Sequence, residues 1–149
     1  MLQVSGKLDL TMQGPSQKLH SKPYSQRRAV YGYIDRQNIS PTLSSFDFAN
    51  PNIHAPQRVE TTVPQQALFA FIHPFVIERS TTLAKKAFDS KTANPSSHVE
   101  FLYRQILSRN PRKNESKLAV EFLGPDAKLA NIEDLAQTLL VSNEFFFTD

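Results

Sequence analysis

A chain of 149 residues, 40% hydrophobic and 21% charged, is long enough for one domain with a real core and has the composition of a globular protein, not a disordered one. It has no cysteine, which excludes disulfides, thiol catalysis, zinc–thiolate sites and a C-x-x-C-H haem attachment. The net charge of +3 comes from residues 1–60, which hold seven Lys/Arg against four Asp/Glu; so small an excess argues against a nucleic-acid surface.

Residues 1–60 read as an irregular segment with one short strand. Eight of the fourteen Gly and Pro lie there (Gly6, Gly14, Pro15, Pro23, Gly32, Pro41, Pro51 and Pro56), a density that disfavours long helices. The strand candidate is "RRAVYGYIDR" (27–36), with Tyr31 and Tyr33 on one face, Val30 and Ile34 on the other, and Gly32 marking a bulge or a close backbone approach. An irregular connection follows, pinned to the core by Phe46 and Phe48.

Residues 61–149 read as a helical module. In "TTVPQQALFAFI" Thr62 is the expected N-cap, with Gln65 three on and Pro64 in the first turn. Pro74 disfavours helix at His73, so one helix ends there and another begins, with Phe75, Val76, Arg79, Leu83 and Ala87 on its face. A third helix is expected over about 97–109, with Ser97 and Glu100 as a capping box and Val99, Leu102, Tyr103, Ile106 and Leu107 as its apolar stripe. Asn114 is the expected cap of a fourth, with Leu118 and Phe122 four apart and Gly124–Pro125 as its stop. Asn131 is the expected cap of the last, with Ile132, Leu135, Leu139 and Leu140 inward. Phe145, Phe146 and Phe147 read as core and interface. The fold class is mainly α: about five helices packed as a bundle, behind a short β or extended irregular N-terminal part, together forming one truncated domain.

The opening "MLQVSGKLDLTMQG" has no basic region followed by an apolar run, so it is not a secretory signal, and taken alone it would leave the chain in the cytoplasm. The longest apolar run, residues 67–72, is far short of a membrane span. His20, His54, His73 and His98 lack partners at metal-ligand spacing, so no metal site is expected. No G-x-S-x-G elbow and no glycine-rich phosphate loop occurs, and no catalytic residue is assigned. The polar set that stands out is Arg27, Arg28, Asp47, Arg58, Thr61 and Gln65. It reads either as an anion-binding cluster at a helix start or as ion pairs of Asp47 with Arg28 or Arg58 that hold the irregular connection.

Seven stretches, with order and spacing kept, resemble one family: "SGKLDLTMQGPS" (5–16), "RRAVYGYIDR" (27–36), "FDFANPN" (46–52), "PQRVETTVPQQAL" (56–68), "HPFVIERS" (73–80), "LYRQILSRNPRKNE" (102–115) and "LLVSNEFFFTD" (139–149). It is the domain of unknown function found in planctomycetes and related bacteria at the C-terminal end of large exported proteins that often carry cytochrome-c-like domains. The resemblance implies a periplasmic, exported parent, with haem c in other domains and no cofactor in this chain. Members usually carry Cys where Ala55 stands and Asn where Ile72 stands, so any role of those groups is missing here. The family domain normally begins well before Ser5. The chain is therefore expected to be the C-terminal half of such a domain, from a gene fragment, a split gene or a mis-called start, with the upstream half or another chain as its partner. A shorter resemblance, of "LYRQILSRNPRKNE" with "SNEF", is to an uncharacterised helical module of exported proteins; there Arg104 and Arg109 would pair with Glu144 or Asp149 and lock the helices. The expected function is a non-catalytic helical module for assembly or ligand contact. The alternative is part of an enzyme acting on carbohydrate-like substrates, with the Arg/Asp cluster in its cleft.

Overall fold

Four prolines open helices in this chain: α1 (Pro41–Ser45), α2 (Pro64–Ile72), α3 (Pro74–Asp89) and α4 (Pro95–Leu107). At that position the missing N–H has no intrahelical role and the fixed φ is already helical. Three more follow: α5 (Lys113–Leu123), α6 (Leu129–Val141) and the single turn α7 (Asn143–Phe146). The protein is thus mainly helical, with five helices longer than one or two turns, of which α3, α4, α5 and α6 pack on one another. The computed structural model describes residues 1–19, 21–57, 61, 64–89 and 94–147. Two compact units result, Met1–Gly6 with Ala70–Asp149, and Lys7–Phe69.

The larger unit is built around α3, which packs most extensively on α6, with α4 lying against α3, α5 and α6. Every third or fourth residue of α3 is buried: Val76, Arg79, Ser80, Leu83, Ala84 and Ala87. Leu83, Ala84 and Ala87 share one core with Val99, Leu102, Tyr103 and Ile106 of α4 and Ile132, Leu135, Leu139 and Leu140 of α6. Met1 and Val4 pack against this core, and the Lys86 ammonium and Gln105 amide donate to the carbonyls of Ser5 (2.8 Å) and Val4 (2.7 Å). Between α2 and α3, the Nδ1 of His73 accepts the Phe75 N–H (3.2 Å), and burial lowers the imidazole's pKa.

Several local expectations are corrected. Helix α4 starts two residues early: the Asn94 side chain accepts the Ser96 N–H (3.1 Å) and is the cap, while Glu100 pairs with Arg104 one turn on (2.9 Å). Helices α5 and α6 begin before Asn114 and Asn131, with Arg112 and Lys128 as their N-caps. On α5 the inward residues are Ala119 and Leu123, whereas Leu118 and Phe122 are 68% and 53% exposed. Phe145 packs against the core, but Phe147 is exposed. Thr62, the expected cap of α2, lies outside the described residues.

The smaller unit has no regular strand among its described residues. Residues 27–36 instead hold a one-turn 3-10 helix, Ala29–Tyr31, closed by Tyr31 N–H to Arg28 O (3.0 Å) and Gly32 N–H to Ala29 O (2.9 Å). The pairing described there is limited to two isolated bridges, Asp9–Arg27 and Gln17–Gly32. Val and Tyr favour strands chiefly where neighbours pack on them, and here Val30 and Tyr33 face solvent. The close approach expected at Gly32 is present, since a side chain there would collide with Leu19. Phe46 meets Phe69 edge-on (5.3 Å between centroids), but Phe48 is exposed and pins nothing.

Candidate functional site

Arg27 organises the smaller unit. Gln13 and Gly14 both have positive φ (65° and 93°), and this turn brings the carbonyls of the 11–15 loop around one guanidinium. Arg27 donates to Thr11 O (3.0 Å), Pro15 O (3.2 Å) and Gln13 O, and its guanidinium lies 3.9 Å from the centroid of the Tyr31 ring. The Tyr31 hydroxyl in turn accepts the Gln13 N–H (3.0 Å). The side chain is buried, and a buried guanidinium is tolerated only where carbonyls and an aromatic face replace its water.

Asp47 belongs to a second constellation. It sits at positive φ (55°), and its carboxylate accepts both the N–H and the hydroxyl of Thr61, each at 2.7 Å. The glutamine that joins them is Gln66, not Gln65: its amide donates to Ser45 O and Thr61 O, both at 2.9 Å, while Gln65 is exposed. Arg28 is exposed beside the 3-10 turn, and Arg58 lies outside the described residues. The contacts described for Arg27 run to residues 11–31 and those for Asp47 to Thr61, so the six expected residues do not form one cluster among the described residues. A cleft of about 720 Å3 opens beside Asp47, lined also by Leu43, Phe46, Phe48, Ile53 and His54; neither Arg27 nor Arg28 reaches it.

In the larger unit Arg109, just past the end of α4, grips two carboxylates. It forms a bidentate pair with Glu115 of α5 (2.8 Å twice) and another with Glu144 of α7 (2.5 and 2.7 Å), and lies over the Tyr103 ring (5.4 Å). Glu115 also accepts the Arg112 N–H (2.7 Å) at the start of α5. Hydrogen bonds from Arg109, then from Arg112, hold the Glu115 carboxyl down to about 2; Arg109 likewise lowers Glu144, and the two carboxylates raise Arg109. Of the expected locking residues, Arg109 and Glu144 meet. Arg104 does not join them, pairing with Glu100 and Asn110 (2.6 Å), and Asp149 lies outside the described residues. Glu115 went unassigned in the sequence, although its spacing from Arg109 across an Asn-Pro turn was a usable signal.

Among the described residues no three His, Asp or Glu side chains converge as a metal ion would need, and no helix is long and apolar enough to cross a membrane. The family model described as PSD1, protein of unknown function (DUF1553), matches residues 1–123. The stretch 139–149 that contributed to the resemblance lies beyond the matched residues. No curated protein and no solved structure matches the chain.

Proposed function

Since this chain belongs to the PSD1 family of unknown function (DUF1553), we propose that it serves as a non-catalytic assembly module of a larger exported protein. In this reading the parent is periplasmic, of planctomycete type, and carries its haem c in other domains. The helical unit is the stable base, and Lys7–Phe69 is the part that docks on the rest of the parent domain, whether in the same polypeptide or in a second chain. One observation carries this: the only buried residue described in Lys7–Phe69 is Arg27, while Leu10, Met12, Val30, Ile53 and Leu68 are each more than half exposed. A segment of that length that buries no apolar side chain of its own gains its stability from a partner surface. Its conspicuous polar groups, Arg27 and Asp47, hold backbone, which is a structural task.

The test is solution behaviour. Alone, the chain binds an apolar-surface dye and self-associates; co-expressed with the remainder of a parent domain it becomes monodisperse and unfolds in one sharp transition. A monodisperse chain with no dye binding and a single sharp transition on its own would refute the docking role.

The cleft beside Asp47 favours a second reading, an enzyme fragment for carbohydrate-like substrates, because the half-buried Phe46 and exposed Phe48 that line it suit a sugar face. Saccharide-induced shifts at Phe46 and Phe48 that vanish in Asp47→Asn would select it over the first.

A further inference from the structure

Beyond the assembly role, a cleft between α4, α5 and α6 of the helical unit has the build of a small-molecule site. It holds about 300 Å3, the lower end of the range for ligand pockets. Leu118, Ala119 and Phe122 of α5, Leu135 and Thr138 of α6 and Tyr103 of α4 line it, and Glu115 stands on the same wall. Leu118 and Phe122, one turn apart, are the pair whose spacing points to the interior, yet both are more than half exposed and border this opening.

The apolar wall is polar at one point. Tyr103 is only 7% exposed, with the Arg109 guanidinium over its ring, and its hydroxyl hydrogen-bonds to no described residue. Nor is that hydroxyl sealed in the core: the fully enclosed side-chain atoms without a partner among the described residues belong to Arg27, Arg79 and His98. It keeps access to the outside, and this cleft is an opening that Tyr103 lines. A hydroxyl left unpaired at a nearly buried position marks a place where an outside group can pair. Burial, then the Glu115 carboxylate on the same wall, raise its pKa, so it stays protonated and offers a donor. The other polar groups of the wall are occupied. The Thr138 hydroxyl donates to Asp134 O (2.8 Å), and both Glu115 oxygens accept from Arg109.

Charge narrows the ligand class. Near Tyr103, Glu115 and Glu144 set two negative charges against the single positive charge of Arg109, which disfavours an anion. Both carboxylates are already held by that guanidinium, so neither is free to offset the desolvation of a cation. An uncharged ligand remains, apolar enough to cover Leu118 and Phe122 and bearing an acceptor for the hydroxyl.

We propose that this cleft binds a small uncharged carbonyl compound, with its oxygen on the Tyr103 hydroxyl and its apolar body against Leu118, Phe122 and Leu135.

Titration of the whole chain with acetophenone, followed by amide and side-chain NMR shifts, tests this. Saturable shifts are expected at Tyr103, Leu118, Phe122 and Leu135. Benzoate and benzylammonium, similar in size but charged, should each bind about tenfold more weakly. Tyr103→Phe keeps the ring beside Arg109 and removes only the hydroxyl. It should weaken acetophenone about fivefold, the worth of one neutral hydrogen bond, and leave toluene, which has the ring without the acceptor, unchanged. A purely structural role of Tyr103 would move both ligands alike. Phe122→Ala, at an exposed position where the fold is kept, should weaken acetophenone and toluene together, each about fivefold. Absence of saturable shifts, tighter binding of benzoate or benzylammonium, or undiminished acetophenone binding by Tyr103→Phe or by Phe122→Ala would overturn the proposal.

Discussion

The two units of this chain hold themselves together by different physics. In Met1–Gly6 and Ala70–Asp149 the interior is largely aliphatic: Leu83, Val99, Leu102, Ile132 and Leu140 are fully enclosed, Arg79 of α3 is its one buried charge among the described residues, and polar contacts such as Arg109 with its two glutamates sit at the rim. In Lys7–Phe69 the single buried residue described is a charged one, Arg27, and Leu10, Met12, Val30, Ile53 and Leu68 are each more than half exposed. A core that is largely aliphatic draws most of its stability from many small dispersion and hydration terms. A unit centred on one guanidinium depends on that group, because each carbonyl it serves is left without a partner if it is removed.

The contrast can be broken or sharpened by substitution. Leu83→Ala, at a site with no exposure, should cost about 2–5 kcal/mol and lower the denaturation midpoint of the helical unit. Backbone amide exchange should show the loss across α3, α4 and α6. A change under the size of a surface substitution would mean that the aliphatic interior is not what holds this unit. Arg27→Met should cost about 2–3 kcal/mol, because it strands the carbonyls of Thr11, Gln13 and Pro15. Exchange protection should vanish over 9–33 while the helical signal persists. If helicity were lost too, the two units would not be separable in stability.

Glu115→Gln keeps the size of the side chain and removes half of the Arg109 grip. With about a quarter of each partner exposed, solvent screening holds the expected cost to about 1 kcal/mol. The same link sets an acid limit. Glu115 and Glu144 have folded pKa values below the ordinary 4.5, so their contribution is complete above that value and is lost as pH falls through it toward about 2. His73, whose pKa burial also lowers, adds a smaller loss below 6.5, where protonation removes the Nδ1 acceptor of the Phe75 N–H. Urea midpoints between pH 7 and pH 2 should decline in these two steps, and the lower step should shrink in Glu115→Gln. An undiminished lower step would place the acid lability elsewhere.

Much of the helical unit was legible because proline and aliphatic spacing speak locally. Pro64 and Pro74 mark starts wherever they fall, and Ile132, Leu135, Leu139 and Leu140 can share only one helical face. Phasing failed on α5, where Leu118 and Phe122 advertise a stripe but small Ala119, beside Leu123, is what fits between helices. Size complementarity belongs to the partner helices and is not written in the segment itself. The smaller unit was opaque for a related reason. Whether 27–36 forms a strand depends on which segment runs beside it, and the loop around Arg27 is fixed by backbone conformation at Gln13 and Gly14 instead of by any apolar period. The polar set was placed by residue type, yet the connecting role fell to Gln66, one position beyond Gln65, because only a helix in place decides which of two adjacent glutamines faces Thr61.

Helix caps give the smallest and most local test of the contrast. Sequence spacing favours Ser97 as the start of α4, with Glu100 three on; the structure gives the role to Asn94, followed by Pro95, whose missing N–H leaves Ser96 as the first donor to serve. Asn94→Ala removes that acceptor, and for an exposed cap the expected cost is about 0.5–1 kcal/mol. Ser97→Ala should fall near zero, since Ser97 stands inside the helix and its N–H already bonds Asn94 O (2.9 Å). Denaturation midpoints of the two variants therefore separate the two assignments. The comparison with Arg27→Met reaches further. Both substitutions delete a polar side chain that serves backbone groups, yet the helical unit should lose only the cap while the other unit should lose its fold. Equal losses from Asn94→Ala and Arg27→Met would mean that burial of the aliphatic core does not protect α4, and that the two units are held by the same kind of interaction after all.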